Sequence, residues 1–345
     1  MNGAFFETKA TQKSNRMGAI TKYAVLVLLV LQTTCMVLTL RYTRTVVIDG
    51  PRYLSSTVVL LAEFVKLMSC LFIIYYQCKF DPRKFMNELK VGLLNKPLET
   101  IKTAVPSGIY SFQNNLLFIA LNYLDAPTYQ VTYQLKILMT ALFSSLLLRK
   151  QLSRNQWFAL VMLMTGVALV QYPAGSTAVE NTSSIQDRMY GVGVLLVACA
   201  SSGFAGVYFE LLLKSSNISL WIRNLQMAMF GVIFSSITVL FTNLKEIQKD
   251  GFFQGYSIAV GTVLLLQAYG GILVACVVQY TDNIIKGFAT SLSIIVSTIV
   301  SYLVFNDVQP TKLFLAGTMI VIAATFVYGL RSTKPSSTKL TEKDS

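Results

Sequence analysis

An all-α integral membrane protein with about ten transmembrane helices is predicted by three observations. Charged residues make up 13% of the 345 residues and hydrophobic residues 54%, roughly half the charge of a soluble domain. Mean hydropathy is +0.56. The apolar residues gather into runs long enough to cross a hydrocarbon core of about 30 Å, near 23–41, 54–77, 103–122, 127–148, 156–173, 190–212, 224–242, 258–279, 284–305 and 311–329.

The segments between these runs carry the orientation. Placing both termini in the cytosol gives the cytosolic segments about nineteen Lys/Arg and the opposite loops about six, a positive-inside bias. The net charge of +13 then follows from topology, and a nucleic-acid surface is not needed to explain it. Residues 1–21 read as a polar, basic cytosolic tail and the first apolar run as a signal anchor, with no A-x-A-like site after it. Residues 22–173 and 190–330 hold five runs each, joined by a lumenal loop at 174–189, and residues 331–345 read as a disordered cytosolic tail. Two N-x-S/T sequons occur, and this orientation puts Asn181 in the lumen and Asn217 in the cytosol.

Composition removes several chemistries. The chain has no histidine, so zinc-histidine sites, Ser-His-Asp triads and histidine proton relays are all excluded. Its five cysteines, Cys35, Cys70, Cys78, Cys199 and Cys276, lie in or beside apolar runs without metal-ligand spacing and read as small buried apolar residues.

Polar residues inside the runs are the ones to explain, because the bilayer centre penalises them. In the second run Glu63 and Lys66 are three residues apart on one helix face, as helix-tying pair or functional pair. The third run stacks Tyr110, Gln113, Asn114 and Asn115. Consecutive carboxamides cannot all face one neighbour helix, so a polar cavity suits the set better. In the fourth run Tyr129, Thr132, Tyr133 and Lys136 follow i, i+3, i+4, i+7 spacing and share a face that lipid would reject. The sixth run holds Ser201, Ser202, Gly203 and Gly206 beside Tyr208, where close helix packing and close approach of a flat ligand are both open. Glu210 can pair with Lys214, Arg223, Asn224 and Gln226 enter the seventh run, and Asp282 lies four residues before Lys286 in a spacing that permits an ion pair.

Lys136 lies in the fourth run and Lys286 in the ninth. Matching features five runs apart predict two five-helix repeats, inverted because each has an odd number of spans, with a site at their interface near the midplane. Two lysines converging there suit an anion, and tyrosines with carboxamides suit a flat base, so a phosphorylated ligand bearing a base is expected. There is no Walker motif and no G-x-G-x-x-G opening a strand-helix unit.

At these residues the chain resembles the Golgi nucleotide-sugar transporters of the drug/metabolite transporter superfamily. The resemblance covers nearly all of residues 22–330 and is carried by "ALNYLDAPTYQVTYQLKILMTALFS", "SSGFAGVYFE", "WIRNLQM", "DGFFQGY" and "YTDNIIKGFATSLSIIVST". It implies two inverted halves of five helices in a Golgi membrane, no cofactor, and exchange of cytosolic nucleotide-sugar for lumenal nucleoside monophosphate. It also implies nucleotide contacts at Tyr110, Gln113, Asn114, Tyr133, Lys136, Ser202, Gly203, Gly206, Tyr208, Asn224 and Lys286, with Glu63 and Lys66 at the sugar side or a gate. Gln279 stands where relatives commonly carry a lysine. Within the family, "GPRYLSSTVVLLAE", "LNKPLETIKTAVPSGIY" and "GFATSLSII" are most similar to carriers of UDP-N-acetylglucosamine, then of UDP-galactose. UDP-sugar and UMP are thus the implied exchanged substrates, with a homo-oligomer or an associated Golgi glycosyltransferase as further partners.

Other readings are a CMP-sialic acid carrier, a multi-span membrane transferase and a membrane scaffold. A transferase needs catalytic acids or a metal in a cavity, and the candidate acids Glu63, Glu210 and Asp282 each have a lysine within four residues. A scaffold leaves Lys136, Lys286 and the carboxamides without partners.

Overall fold

The computed structural model describes residues 2–45, 51–124, 126–171, 185–215, 218–305 and 311–329, and every regular element among them is a helix. Helices α1 (Asn2–Thr45), α2 (Ser55–Gln77) and a short α3 (Pro82–Leu89) are followed by a π-turn over Lys90–Leu94. Then come α4 (Pro97–Lys102), α5 (Ala104–Tyr123), α6 (Ala126–Tyr133), α7 (Leu135–Leu147), α8 (Arg154–Gln171) and α9 (Ile185–Lys214). The chain continues through α10 (Leu220–Thr242), α11 (Leu244–Asp250), α12 (Ile258–Tyr280), α13 (Asn283–Phe305) and α14 (Lys312–Gly329). Seven of these are long and apolar enough to cross a membrane, at Thr21–Leu40, Ser55–Gln77, Ile185–Lys214, Leu220–Thr242, Ile258–Tyr280, Asn283–Leu303 and Lys312–Gly329. The three other apolar runs fall on α5, on α6 with α7, and on α8.

Two features depart from the sequence reading. α1 extends back through the polar N-terminal segment, where Ala, Glu, Lys, Gln and Arg favour helix and no proline interrupts it. The fourth run is broken at Gln134, where Gln134 N–H bonds Val131 O at 3.2 Å and Ile137 N–H bonds Gln134 O at 3.0 Å. The Gln134 side chain, buried, donates to Gln171 Oε1 at 2.8 Å. A break at membrane depth is tolerated where protein or a polar cavity satisfies the freed groups. Asn181, Asn217, Asp125 and the segments 172–184 and 330–345 lie outside the described residues.

Helix starts follow local capping chemistry. Ser219 caps α10 through Ile222 N–H, Ser257 caps α12 through Val260 N–H, and Asp282 caps α13 through Ile285 N–H at 2.8 Å. Ser153 and Gln156 exchange side-chain and backbone bonds at the start of α8, a capping box.

Packing pairs the helices across the two halves of the chain. α8 lies on α14, α2 on α10, α5 on α9, α1 on α12, α7 on α9, α1 on α13, α2 on α12 and α5 on α10. The α8–α14 crossing is backbone-close, since a Cβ at Gly317 would stand 2.6 Å from Gly166 O and 2.8 Å from Val170 N. Around it, Leu160, Leu163 and Val167 of α8 pack with Phe314, Val321 and Ala324 of α14.

The α10–α12 connection is fastened to the segment before α2. Gly255 has φ +64°, and a Cβ there would run into Tyr53 N and Pro51 O. Only glycine fits without shifting that backbone. Gly255→Ala is therefore expected to cost about 1–3 kcal/mol, read as a lower Tm in detergent; an unchanged Tm would mean the loop moves aside freely.

Candidate functional site

A cavity of about 980 Å³ runs between α2, α5, α10 and α12, with α6 and α9 contributing to its wall. Its lining extends along α10 from Asn224 to Asn243, a rise of about 28 Å. At one end lie Ser55, Ser56, Thr242 and Asn243, where α2 begins and α10 ends, and Ser56 Oγ bonds Asn243 Oδ1 at 2.7 Å.

Seven of the residues singled out in the sequence line this cavity: Glu63 and Lys66 of α2, Tyr110, Asn114 and Asn115 of α5, Tyr129 of α6, and Asn224 of α10. Lys66 Nζ bonds Glu63 Oε1 at 2.7 Å. The pair occupies a gap left by two glycines. A Cβ at Gly231 would overlap the Glu63 carboxylate, and one at Gly271 would press on the Lys66 stem at 3.3 Å.

A second group forms around the break in the fourth run. Gln113 Nε2 donates to the Tyr133 hydroxyl at 3.3 Å, and Ser202 lies on α9, which packs against α6 and α7. Lys136 Nζ sits 4.0 Å over the Tyr133 ring, within cation–π range. Tyr129 stacks on Tyr133 with centroids 5.9 Å apart and also lines the cavity, so it joins the two groups. Lys286 lies on α13, which packs against α7 through Ile284 and Phe288 on one side and Ile137, next to Lys136, on the other. Both Lys136 and Lys286 are half-buried. Among the described residues no carboxylate stands within ion-pair distance of either.

The remaining predicted residues are placed differently. Gly203 packs on the α7 backbone, where a Cβ would be 2.8 Å from Met139 C and Thr140 N. Gly206 is covered by the Asn283 side chain. Both glycines thus serve helix packing in this conformation, and the space a ligand would need beside them is filled. Tyr208 stacks on Phe204 at 5.6 Å.

Asp282 does not pair with Lys286. As the α13 cap its carboxylate accepts from Ile285 N–H, and it meets Lys150 at 3.2 Å. Glu210 does pair with Lys214, at 2.8 Å, and it also binds Lys150 at 2.9 Å and Asn283 N–H at 2.8 Å. With Lys214 Nζ on Thr281 O at 2.6 Å, this cluster ties the ends of α9, α12 and α13 to Lys150 just beyond α7, opposite the Ser55–Asn243 end.

Arg223 and Gln226 face away from the cavity. Arg223 binds Glu99 Oε2 at 2.6 Å and Glu99 O at 2.9 Å. Gln226 donates to Gly92 O at 2.9 Å and to Thr100 Oγ1 at 3.1 Å. Lys102 and Arg223 hold the Glu99 carboxyl below the usual carboxylate range, so this fastening is complete at neutral pH and is lost as pH falls through the lowered value. Sequence reasoning missed Gln267, which lines the cavity from α12. A lone glutamine inside "VLLLQAYGG" was the available signal.

An all-helical, multi-span chain whose elongated cavity sets polar side chains among apolar ones, and whose intramembrane Lys136 and Lys286 have no ion-pair partner among the described residues, has the makings of a membrane carrier for an anionic ligand. Comparison with known proteins agrees. The nucleotide-sugar transporter family matches residues 17–329, and the chain belongs to that family: it is a transporter and not an enzyme. A rat UDP-N-acetylglucosamine transporter is 53% identical over 314 residues, 91% of this chain and 96% of its own. The Caenorhabditis elegans UDP-N-acetylglucosamine/UDP-N-acetylgalactosamine transporter nstp-4 is 50% identical over 326 residues, covering 92% and 96%. A mouse UDP-galactose translocator is 44% identical over 311 residues, covering 90% and 78%. One solved crystal structure shares the fold with a TM-score of 0.64 over 90% of this chain and 96% of its own, at 10% identity.

Proposed function

We propose that this transporter carries UDP-N-acetylglucosamine across the Golgi membrane in exchange for UMP, by alternating access, with UDP-galactose as a second substrate. The observation that carries the reading is the pair Lys136 and Lys286, intramembrane cations on the packed helices α7 and α13 that, among the described residues, have no carboxylate within ion-pair distance. Such a pair is unfavourable when empty and favourable around a phosphate. The carboxamides and stacked tyrosines beside it suit a pyrimidine base, and the sugar class follows the names of the relatives at 50–53% identity.

Alternating access draws support from the packing. Numbering the ten apolar runs in order, α8–α14 joins five to ten and α2–α10 joins two to seven, so each maps onto itself when five is added. The contact of three with six (α5–α9) maps onto eight with one (α12–α1), and four with six (α7–α9) onto nine with one (α13–α1). Two with eight (α2–α12) maps onto seven with three (α10–α5). This pattern is expected of ten spans in two inverted five-helix halves. With both termini cytosolic, the Ser55–Asn243 end of the cavity faces the lumen and the Lys150–Glu210–Lys214–Asp282 cluster closes the cytosolic side.

Exchange needs the nucleotide contacts to be common to both ligands and the sugar contacts to be filled on one leg only. Preloading proteoliposomes with UMP is therefore expected to raise uptake of labelled UDP-N-acetylglucosamine several-fold, with CMP less effective because cytosine offers an amino donor where uracil offers a carbonyl. Strong uptake into empty vesicles that collapses with a protonophore would overturn the exchange mechanism.

A further inference from the structure

The basic α2–α5 connection, "CKFDPRKFMNELKVGLLNKP", has a surface that transport does not account for. Its inward side is firmly anchored. Phe85, Leu89 and Leu93 pack on the base of α2 and α10, and Gln226 and Arg223 bind Gly92, Thr100 and Glu99. Its outward side carries Val91, Leu94, Leu98 and Ile101, all exposed, with Leu94 at 70% and Leu98 at 73%. The stripe continues into Val105 of α5, also exposed. These positions span the π-turn, α4 and the start of α5, and what they share is exposure away from the side that packs on α2 and α10. Exposed Arg83, Lys84, Lys90 and Lys96 border it. Both ends of the connection run into apolar helices, α2 and α5, which holds the stripe at the level of a membrane surface.

An apolar stripe rimmed by basic side chains is the composition of an interfacial element, with its apolar face in the acyl boundary and its cations among headgroups. Each Lys or Arg near an anionic leaflet strengthens association about fivefold. We propose that residues 83–101 form an interfacial pad that inserts into the adjoining leaflet and selects anionic phospholipid headgroups. Because α10 holds the pad through Arg223 and Gln226, next to the cavity residue Asn224, the bound lipid is one bond network away from the transport path.

The test uses the full chain in proteoliposomes, with Leu94→Trp as probe and the parent chain, which keeps Trp157 and Trp221, as reference. Brominated phosphatidylserine is expected to quench the added indole of the Leu94→Trp variant about twofold more per mole fraction than brominated phosphatidylcholine. That difference should vanish in R83Q/K84Q/K90Q/K96Q or at about 1 M salt. Equal quenching by the two lipids would overturn headgroup selection. Quenching of the added indole by aqueous iodide and not by bromolipid would overturn insertion, and so would protection from both quenchers, which would mean a second copy covers the stripe. None of these readings depends on which sugar nucleotide is carried.

Discussion

Uptake of UDP-N-acetylglucosamine at low concentration is expected to fall about ten- to a hundredfold when either Lys136 or Lys286 becomes alanine, while the protein still inserts and folds. A lost charge-assisted bond to phosphate is worth about 1.5–3 kcal/mol, and each 1.4 kcal/mol is about tenfold. Stability should move the other way. Both lysines are partly buried cations, and among the described residues neither has a carboxylate within ion-pair distance, so removing one relieves a desolvation cost of the empty protein. A variant that loses transport and melts no lower than wild type is the signature of a site kept strained for its ligand. Near-wild-type uptake in both variants would rule out the phosphate role. Lys66→Ala is the less clean test, because it strands Glu63, 2.7 Å from the missing ammonium.

The contrast between these lysines was partly legible in the sequence. Apolar run length marked out the seven helices long and apolar enough to cross a membrane, because span length is fixed by the bilayer; the other three runs fall on α5, on the split pair α6 and α7, and on α8. Spacing placed Glu63 and Lys66 on one face, and they are bonded. Tyr133 and Lys136 were put on one face, and the ammonium lies over the ring. What spacing could not decide was which of several partners a charge takes. Asp282 and Lys286 sit at ion-pair spacing, yet Asp282 is committed to the α13 cap and to Lys150 from the far end of α7. Nor could small residues announce what fills the space beside them: at Gly203 it is the α7 backbone and at Gly206 the Asn283 side chain. The break at Gln134 carries no Gly or Pro to mark it, and it is held by a long-range bond to Gln171.

Glu210→Ala is expected to have the largest effect on stability, about 3–5 kcal/mol. Its carboxylate is fully buried and accepts from Lys150, Lys214 and Asn283 N–H, at 2.9, 2.8 and 2.8 Å. Removing it takes one acceptor from each of two ammonium groups, leaving Lys150 on Asp282 at 3.2 Å and Lys214 on Thr281 O at 2.6 Å, and strands the Asn283 N–H at the start of α13. Glu210→Gln keeps the shape and one acceptor oxygen but gives up the charge, so it should fall between Glu210→Ala and wild type. Lys150→Met is expected to cost less in the Glu210→Ala background than in wild type, because there Lys150 has only Asp282 left to lose; with the single Lys150→Met variant included, the coupling in that cycle separates pair strength from packing. Thermal unfolding in detergent reads all five proteins: wild type, Glu210→Ala, Glu210→Gln, Lys150→Met and the Glu210→Ala/Lys150→Met double. A Glu210→Ala variant that melts like wild type would show the cluster to be surface decoration. A fall in Tm that Lys150→Met deepens in the Glu210→Ala background as much as it does in wild type would instead show the two side chains to act independently.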